Sequence, residues 1–279
     1  MSIPDRRPSG LPPARRLAAS FVLQLALSAA CVPGRASDER DFVRDGELEL
    51  PPAESVLSSV RDGLPGTPIL IRGQVLRGGL PRQRKRIFFF DAELDFSSDP
   101  SSIQYTLRDA FGTVRHQLLV AWFADGEVNS QLEEDGNIRP LDNAGFNRPI
   151  PNTDLTWSDL ALAFLWRGEG RTVAVDRIKG RECYVVEFAP PAGAASGGGV
   201  RVWIDTKMLV LLKMEETDRN GQLARSFSVK DFRRVSGVWM IKNVEVRSHP
   251  GKNRTLVRVD ELYAPGLDDF NAPALEDAE

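Results

Sequence analysis

The sequence predicts a mainly β protein built on one highly curved antiparallel sheet with one or two helices against it. Three observations carry that expectation. Strand-length segments that alternate apolar and polar residues follow one another almost without interruption from residue 67 to residue 263. The connections "DRIKGRE", "DRNGQ" and "HPGKN" place Gly, Asn or Asp where the chain must reverse. Helical periodicity appears at 51–65 and 152–168, which is little helix to fill a large curved sheet.

Arg6, Arg7, Arg15 and Arg16 precede the apolar run "LAASFVLQLALSAA", residues 17–30, which is short for a membrane span and suited to the core of an export signal. Residues 1–36 therefore read as a signal peptide and 37–50 as a flexible N-terminal segment, with 51–279 as one β domain. Cleavage after Ala30 or after Ala36 would leave small residues at the cut. A third alternative is Cys31: "LSAAC" resembles a bacterial lipoprotein signal in which the Cys is lipidated, although Ser28 stands where that pattern prefers Leu. Beyond this leader the sequence holds no further apolar run long enough to span a membrane.

Without residues 1–36 the chain loses five Arg and one Asp, leaving 31 basic and 38 acidic side chains and a net charge of −7. That balance argues against nucleic acid as a partner and against electrostatic docking on anionic lipid. Cys183 is then the cysteine that remains whichever cleavage occurs, so stability must come from packing.

In chain order, "PPAESVLSSVRDGLP" (51–65) places Val56, Leu57, Val60 and Leu64 at helical spacing and meets Gly63 where the helix should stop. Strands follow at 67–76, 85–96, 102–111 and 114–123. In the second, Phe88, Phe90, Ala92, Leu94 and Phe96 share one face against Asp91, Glu93 and Asp95; in the third, Ile103, Tyr105, Leu107 and Phe111 do the same. "NTDLTWSDLALAFLWRG" (152–168) offers Thr156 as N-cap, Asp159 three places on, Leu160, Ala161, Phe164 and Leu165 on overlapping apolar stripes, and Gly168 as a stop. Its apolar surface runs most of the way round, as in a helix buried on more than one side.

Further strands are expected at 172–178, 182–190, 200–205, 207–216, 223–235, 237–248 and 254–263, with a Gly/Ala/Ser hairpin loop at 192–199 and an irregular strap at 264–279. Strict alternation in "KMLVLLKMEE" puts Met208, Val210, Leu212 and Met214 on one face, expected to be the concave one. Leu209 and Leu211 fall on the other, where something apolar must cover them. Alternation alone cannot say which face is concave.

The second half of the chain resembles the outer-membrane lipoprotein-sorting protein family, a branch of the periplasmic lipoprotein-carrier fold. The residues that carry the resemblance are "TDLTWSDL" (153–160), "GRECYVVEFAPP" (180–191), "VRVWIDTKMLVLLKMEETDRNGQ" (200–222), "FSVKDFRRVSGVWM" (227–240), "RTLVRV" (254–259) and "LDDFNAPAL" (267–275). Their order and spacing make the case, and the first half agrees through its strand order. The resemblance implies an open, unclosed β-barrel with helices across its mouth, a concave apolar surface that shelters acyl chains of lipoproteins or lipids, and a periplasmic setting, with no catalytic motif and no cofactor to carry over.

On that basis the candidate cavity residues are Phe88, Phe90, Leu94, Tyr105, Leu107, Leu160, Phe164, Met208, Val210, Leu212, Met214 and Met240. Taken alone, these residues read as a filled core, since most apolar strand faces are simply buried. The resemblance and the shortage of helix favour a cavity, and flexible thioethers suit a wall that adapts to mobile chains. The alternative is an envelope scaffold with a filled core, tethered at Cys31 and contacting an envelope protein partner.

The residues give little support to catalysis or metal binding. His116 and His249 stand apart from any His/Asp/Glu or His/Cys cluster and read as solvent-exposed structural residues. Cys183 reads as a small strand residue, Asp91, Glu93 and Asp95 as a solvated strand face, and Trp122, Trp203 and Trp239 as core. "SGGGV" (196–200) lacks the Lys-Ser/Thr of a phosphate loop and reads as a hairpin loop.

Overall fold

The computed structural model describes residues 50–78, 84–190, 197–235, 238–251 and 254–264. The chain divides into two units, Met1–Glu47 and Leu48–Glu279, and the structure below belongs to the second. The segment read from the sequence as an export leader, with Cys31, residues 192–196 of the stretch expected as a hairpin loop, and the tail beyond Ala264 lie outside the described residues.

Helix α1 (Ala53–Asp62) buries Ala53, Val56, Leu57 and Val60 and ends at Gly63. Thirteen strands follow among the described residues: β1 (Ile69–Arg77), β2 (Lys85–Asp95), β3 (Ser101–Arg108), β4 (Val114–Trp122), β5 (Val128–Glu134), β6 (Asn137–Pro140), β7 (Arg171–Ile178), β8 (Arg181–Phe188), β9 (Gly197–Asp205), β10 (Leu211–Asp218), β11 (Leu223–Val235), β12 (Val238–Ser248) and β13 (Arg254–Tyr263). They form one antiparallel sheet in the order β6-β5-β4-β3-β2-β1-β13-β12-β11-β10-β9-β8-β7. The first and last strands pair at its centre, while β6 and β7, adjacent in sequence, are its two open edges.

That topology sends the connection between the edges across the inner face. Leu141, Ile150, Leu155, Trp157, Leu160 and Leu165 of this connection join the same buried cluster as the inward residues of β1–β4 and β8–β12. Within it lie α2 (Asn143–Phe146), α3 (Trp157–Leu160) and a 3-10 turn, Ala163–Trp166. The expected capping box is present: the Thr156 side chain accepts from Asp159 N–H, and the Asp159 carboxylate accepts from Thr156 N–H. The single helix expected over this stretch is broken instead, because Leu162 adopts φ 50° between its two short pieces.

The alternation in β2 is as expected, with Phe88, Phe90, Ala92 and Leu94 buried. Phe111 differs: β3 ends at Arg108, and Phe111 sits 93% exposed in the following turn. Strands β5 and β6 were not anticipated, since "VNSQLEE" and "NIRP" bury only Ser130 and Leu132 inward. A signal was nonetheless present in the Asp135-Gly136 turn, where both residues take positive φ as a tight hairpin requires.

Close strand contacts explain two glycines. At Gly73 a Cβ would stand 2.2 Å from the Arg258 carbonyl oxygen and 2.5 Å from the Phe90 ring. Gly198 corrects the expectation of a loop at "SGGGV": Gly197–Gly199 open strand β9, and a Cβ on Gly198 would meet the Thr217 carbonyl oxygen at 2.2 Å.

The stretch expected as a strand from 207 to 216 also differs. Residues 206–210 form a turn, with Asp205 Oδ1 accepting from the N–H groups of Lys207 and Met208 and Leu209 at φ 52°. Strand β10 begins at Leu211 with a bulge: Leu211 pairs with Ile204 and Lys213 with Trp203, leaving Leu212 as the extra residue. Leu211 and Met214 therefore belong to the inner core, whereas Leu212 packs with Cys183, Val185 and Trp203 in a second cluster on the outer face.

Candidate binding cavity

Between the sheet and the crossing segment lies a cavity of about 510 Å³. Val60 and Leu64 from α1 and its exit, Ile69 and Ile71 from β1, Phe90 and Leu94 from β2 and Tyr105 from β3 line one side. Leu160, Leu162 and Phe164 roof it, and Met208, Leu209, Val210, Leu211, Met240 and Ile241 line the other side. Burial pushes the Tyr105 phenol well above its ordinary pKa, so it stays neutral; its ring lies 5.9 Å from that of Phe90.

Of the twelve residues singled out from the sequence, the structure places Phe90, Leu94, Tyr105, Leu160, Phe164, Met208, Val210 and Met240 around this cavity. Phe88 and Leu107 are buried in the main core without lining it, and Met214 lines a small neighbouring recess with Glu216 and Arg167. Leu212 requires correction, since the bulge turns it to the outer face. Leu209 and Leu211, assigned from alternation to the opposite face, line the cavity because the backbone at 206–210 is a turn and not a strand.

The roof is pinned by polar side chains that sequence reasoning missed. Asp154 accepts hydrogen bonds from Ser248 Oγ on β12 and Thr255 Oγ1 on β13, both at 2.9 Å, and its own N–H donates to Thr255 Oγ1 at 2.8 Å. Five residues on, Asp159 of the capping box accepts from Arg225 on β11, which also donates to Glu216 at 2.7 Å and to the Asp154 carbonyl at 3.0 Å. Burial opposes the Arg225 charge, but Asp159 and Glu216 outweigh it and hold its pKa above the ordinary value. Glu216 is pushed up, because its burial outweighs the attraction of Arg225. The visible clue was the pair of carboxylates in "TDLTWSDL"; their partners lie up to 101 residues away in sequence.

On the α1 side, Arg61 donates to the Leu165 carbonyl at 2.7 Å, and Trp166 stacks on Trp122 at 5.0 Å between ring centroids. His116 corrects another expectation: it is buried, edge-on to Phe88 at 5.6 Å and to Trp157 at 5.4 Å, with Nδ1 3.5 Å from Glu134. It was assigned to the surface because polar Gln117 stands beside it, but alternation turns His116 inward and Gln117 outward. His249 is partly buried and lies 3.1 Å from Ser226 Oγ.

Cys183 is fully buried in the outer cluster, where burial raises its thiol pKa. Trp122 and Trp203 are buried, and the side chain of Trp239 lies outside the described residues. Asp91 and Glu93 face outward, and Asp91 pairs with Arg72 and Arg108. Among the described residues no group of three His, Cys, Asp or Glu side chains is placed to hold a metal ion, and no helix is long and apolar enough to cross a membrane.

A family model described as an uncharacterized protein matches residues 138–271, much the same part of the chain that carries the sequence resemblance. No curated protein sequence matches the chain. Among solved structures, the chain is similar to a domain described as an outer membrane lipoprotein-sorting protein from Vibrio parahaemolyticus, with a TM-score of 0.64, 12% identity, and coverage of 76% of this chain and 92% of that one. A DUF1329 family protein from Desulfovibrio piger gives a TM-score of 0.63 at 11% identity over 76% and 92% of the two chains. A LolA superfamily protein from Nitrosomonas europaea gives 0.58 at 11% identity over 76% and 93%. The chain thus has the fold of outer-membrane lipoprotein-sorting and LolA superfamily proteins, an unclosed antiparallel sheet.

Proposed function

We propose that this is an exported protein of the periplasm that shelters an acyl chain of a lipid or lipoprotein between its sheet and the α3 roof, in outer-membrane lipoprotein sorting or lipid transport. The observation that carries this reading is the apolar cavity of about 510 Å³ beneath the crossing segment, a volume within the range of small-molecule sites. The fold it shares with the Vibrio parahaemolyticus and Nitrosomonas europaea proteins supports the same reading.

Binding would be hydrophobic burial and not catalysis. At ~0.8 kcal/mol per CH₂, eight buried methylenes would contribute about 6 kcal/mol before the cost of ordering the chain. Release would require the roof to move or a better acceptor to compete. The test is native mass spectrometry of the protein purified from a bacterial periplasm, followed by organic extraction and lipid analysis. Stoichiometric bound lipid is the expected result; an apo mass that also refuses added fatty acid would count against the cavity reading and favour a filled scaffold.

A further inference from the structure

Apart from Asp159 in the roof, the charged residues of the cavity lining are cations that come from one end of the sheet. Because β9 to β12 are successive antiparallel neighbours, the β9–β10 turn and the β11–β12 hairpin lie at the same end of the sheet. Lys207 from the first and Arg234 and Lys242 from the second line the cavity there. Among the described residues, Asp159 is the one carboxylate in the lining, and it is already bonded to Arg225 and to Thr156 N–H. The Lys207 and Lys242 side chains are exposed and form no ion pair among the described residues. In a chain whose net charge is negative, these cations run against the overall field, which disfavours anions at long range.

We infer that the cavity takes an amphiphile with an anionic head group, a phosphate diester or a carboxylate, its chain under Leu160 and Phe164 and its charge at Lys207, Arg234 and Lys242. This rests on the acyl-chain reading above and specifies the ligand of that same site. An anion at the lip of an apolar cavity is partly shielded from water, so each cation attracts it more strongly than in a fully exposed pair. A choline head group would bring its own cation to the same place and lose this advantage.

The test is displacement of the uncharged fluorophore N-phenyl-1-naphthylamine from the full chain by oleate, oleyl alcohol, oleoyl-lysophosphatidylglycerol and oleoyl-lysophosphatidylcholine, below their micelle-forming concentrations. The anionic member of each pair should displace the reporter at about tenfold lower concentration than its uncharged or zwitterionic counterpart. Added salt should shrink that advantage. The double variant Lys207→Gln/Lys242→Gln should reduce it to about twofold while leaving oleyl alcohol unchanged. An advantage confined to oleate would assign the site to a carboxylate, and one confined to the phosphate lipid would assign it to a phosphate diester. Equal displacement by charged and uncharged lipids, or an advantage that survives the double variant, overturns the head-group inference and leaves the acyl-chain cavity standing. Failure of the reporter and all four lipids to bind overturns both.

Discussion

Arg225 and Asp159 tie the roof of the cavity to its wall: the guanidinium of strand β11 is bonded to the same carboxylate oxygen, Asp159 Oδ2, that accepts Thr156 N–H at the start of α3. The residue that caps the helix is also the residue that docks it. Arg225 is buried, so removing its charge strands Asp159 and Glu216 without their counterion. Arg225→Met should cost about 3–5 kcal/mol in denaturant unfolding. Adding Asp159→Asn and Glu216→Gln should recover most of that loss, since no unpaired charge then remains; a triple variant as unstable as the single one would show that the network acts otherwise.

Phe164 lines the cavity from the 3-10 turn and is only partly buried, so a substitution there disturbs the wall more than the core. Phe164→Asp places a carboxylate against an apolar chain, at a cost of several kcal/mol to the bound state. Co-purifying lipid should fall at least about tenfold with the circular dichroism spectrum unchanged. Undiminished lipid in a folded variant would remove Phe164 from the roof's function.

His116 supplies a pH dependence of defined sign. Its burial, opposed by the Glu134 charge, holds the imidazole below its ordinary pKa. The unfolded chain therefore binds this proton at a higher pH than the folded one does. The stability that follows from keeping His116 neutral is complete above about pH 6.5 and is lost as pH falls toward the depressed folded value. His116→Phe, which keeps an aromatic ring between Phe88 and Trp157, should flatten the change in unfolding midpoint between about pH 7 and 5.5 relative to wild type. Parallel slopes for the two proteins would assign that pH dependence to other groups.

Gly73 lies where β1 passes between β13 and β2, and the nearest obstruction to a Cβ is backbone, the Arg258 carbonyl oxygen at 2.2 Å. Backbone cannot step aside as a flexible side chain can. Gly73→Ala should destabilise by about 1–3 kcal/mol. The measurement is thermal unfolding, with Gly66→Ala, where nothing lies within 4 Å, as the neutral comparison.

Much of the architecture was legible because short-range signals agreed with it. Alternation grouped Phe88, Phe90 and Leu94 on one face, and that face is buried. Thr156 and Asp159 announced the start of α3, and Gly63 the end of α1. Where tertiary structure changed the local pattern, the reading failed. A bulge at Leu212 shifted the phase of β10, and Asp205 bent residues 206–210 into a turn. Strands β5 and β6 were invisible to apolar alternation because they bury so little.

By itself, the sequence determined most of the strand segments, β5 and β6 excepted, which residues of most of them share an apolar face, and that the helical segments are few and short, because those properties repeat over two to four residues. Tertiary structure alone decided that β1 pairs with β13 at the centre of the sheet, that the connection between β6 and β7 spans its inner face, and that Asp154 finds Thr255 across 101 residues. It also decided which apolar residues fill the core and which line the cavity. The physical reason is that burial and counterion pairing are satisfied between distant segments, so a periodic pattern can prescribe a buried face without specifying what will cover it.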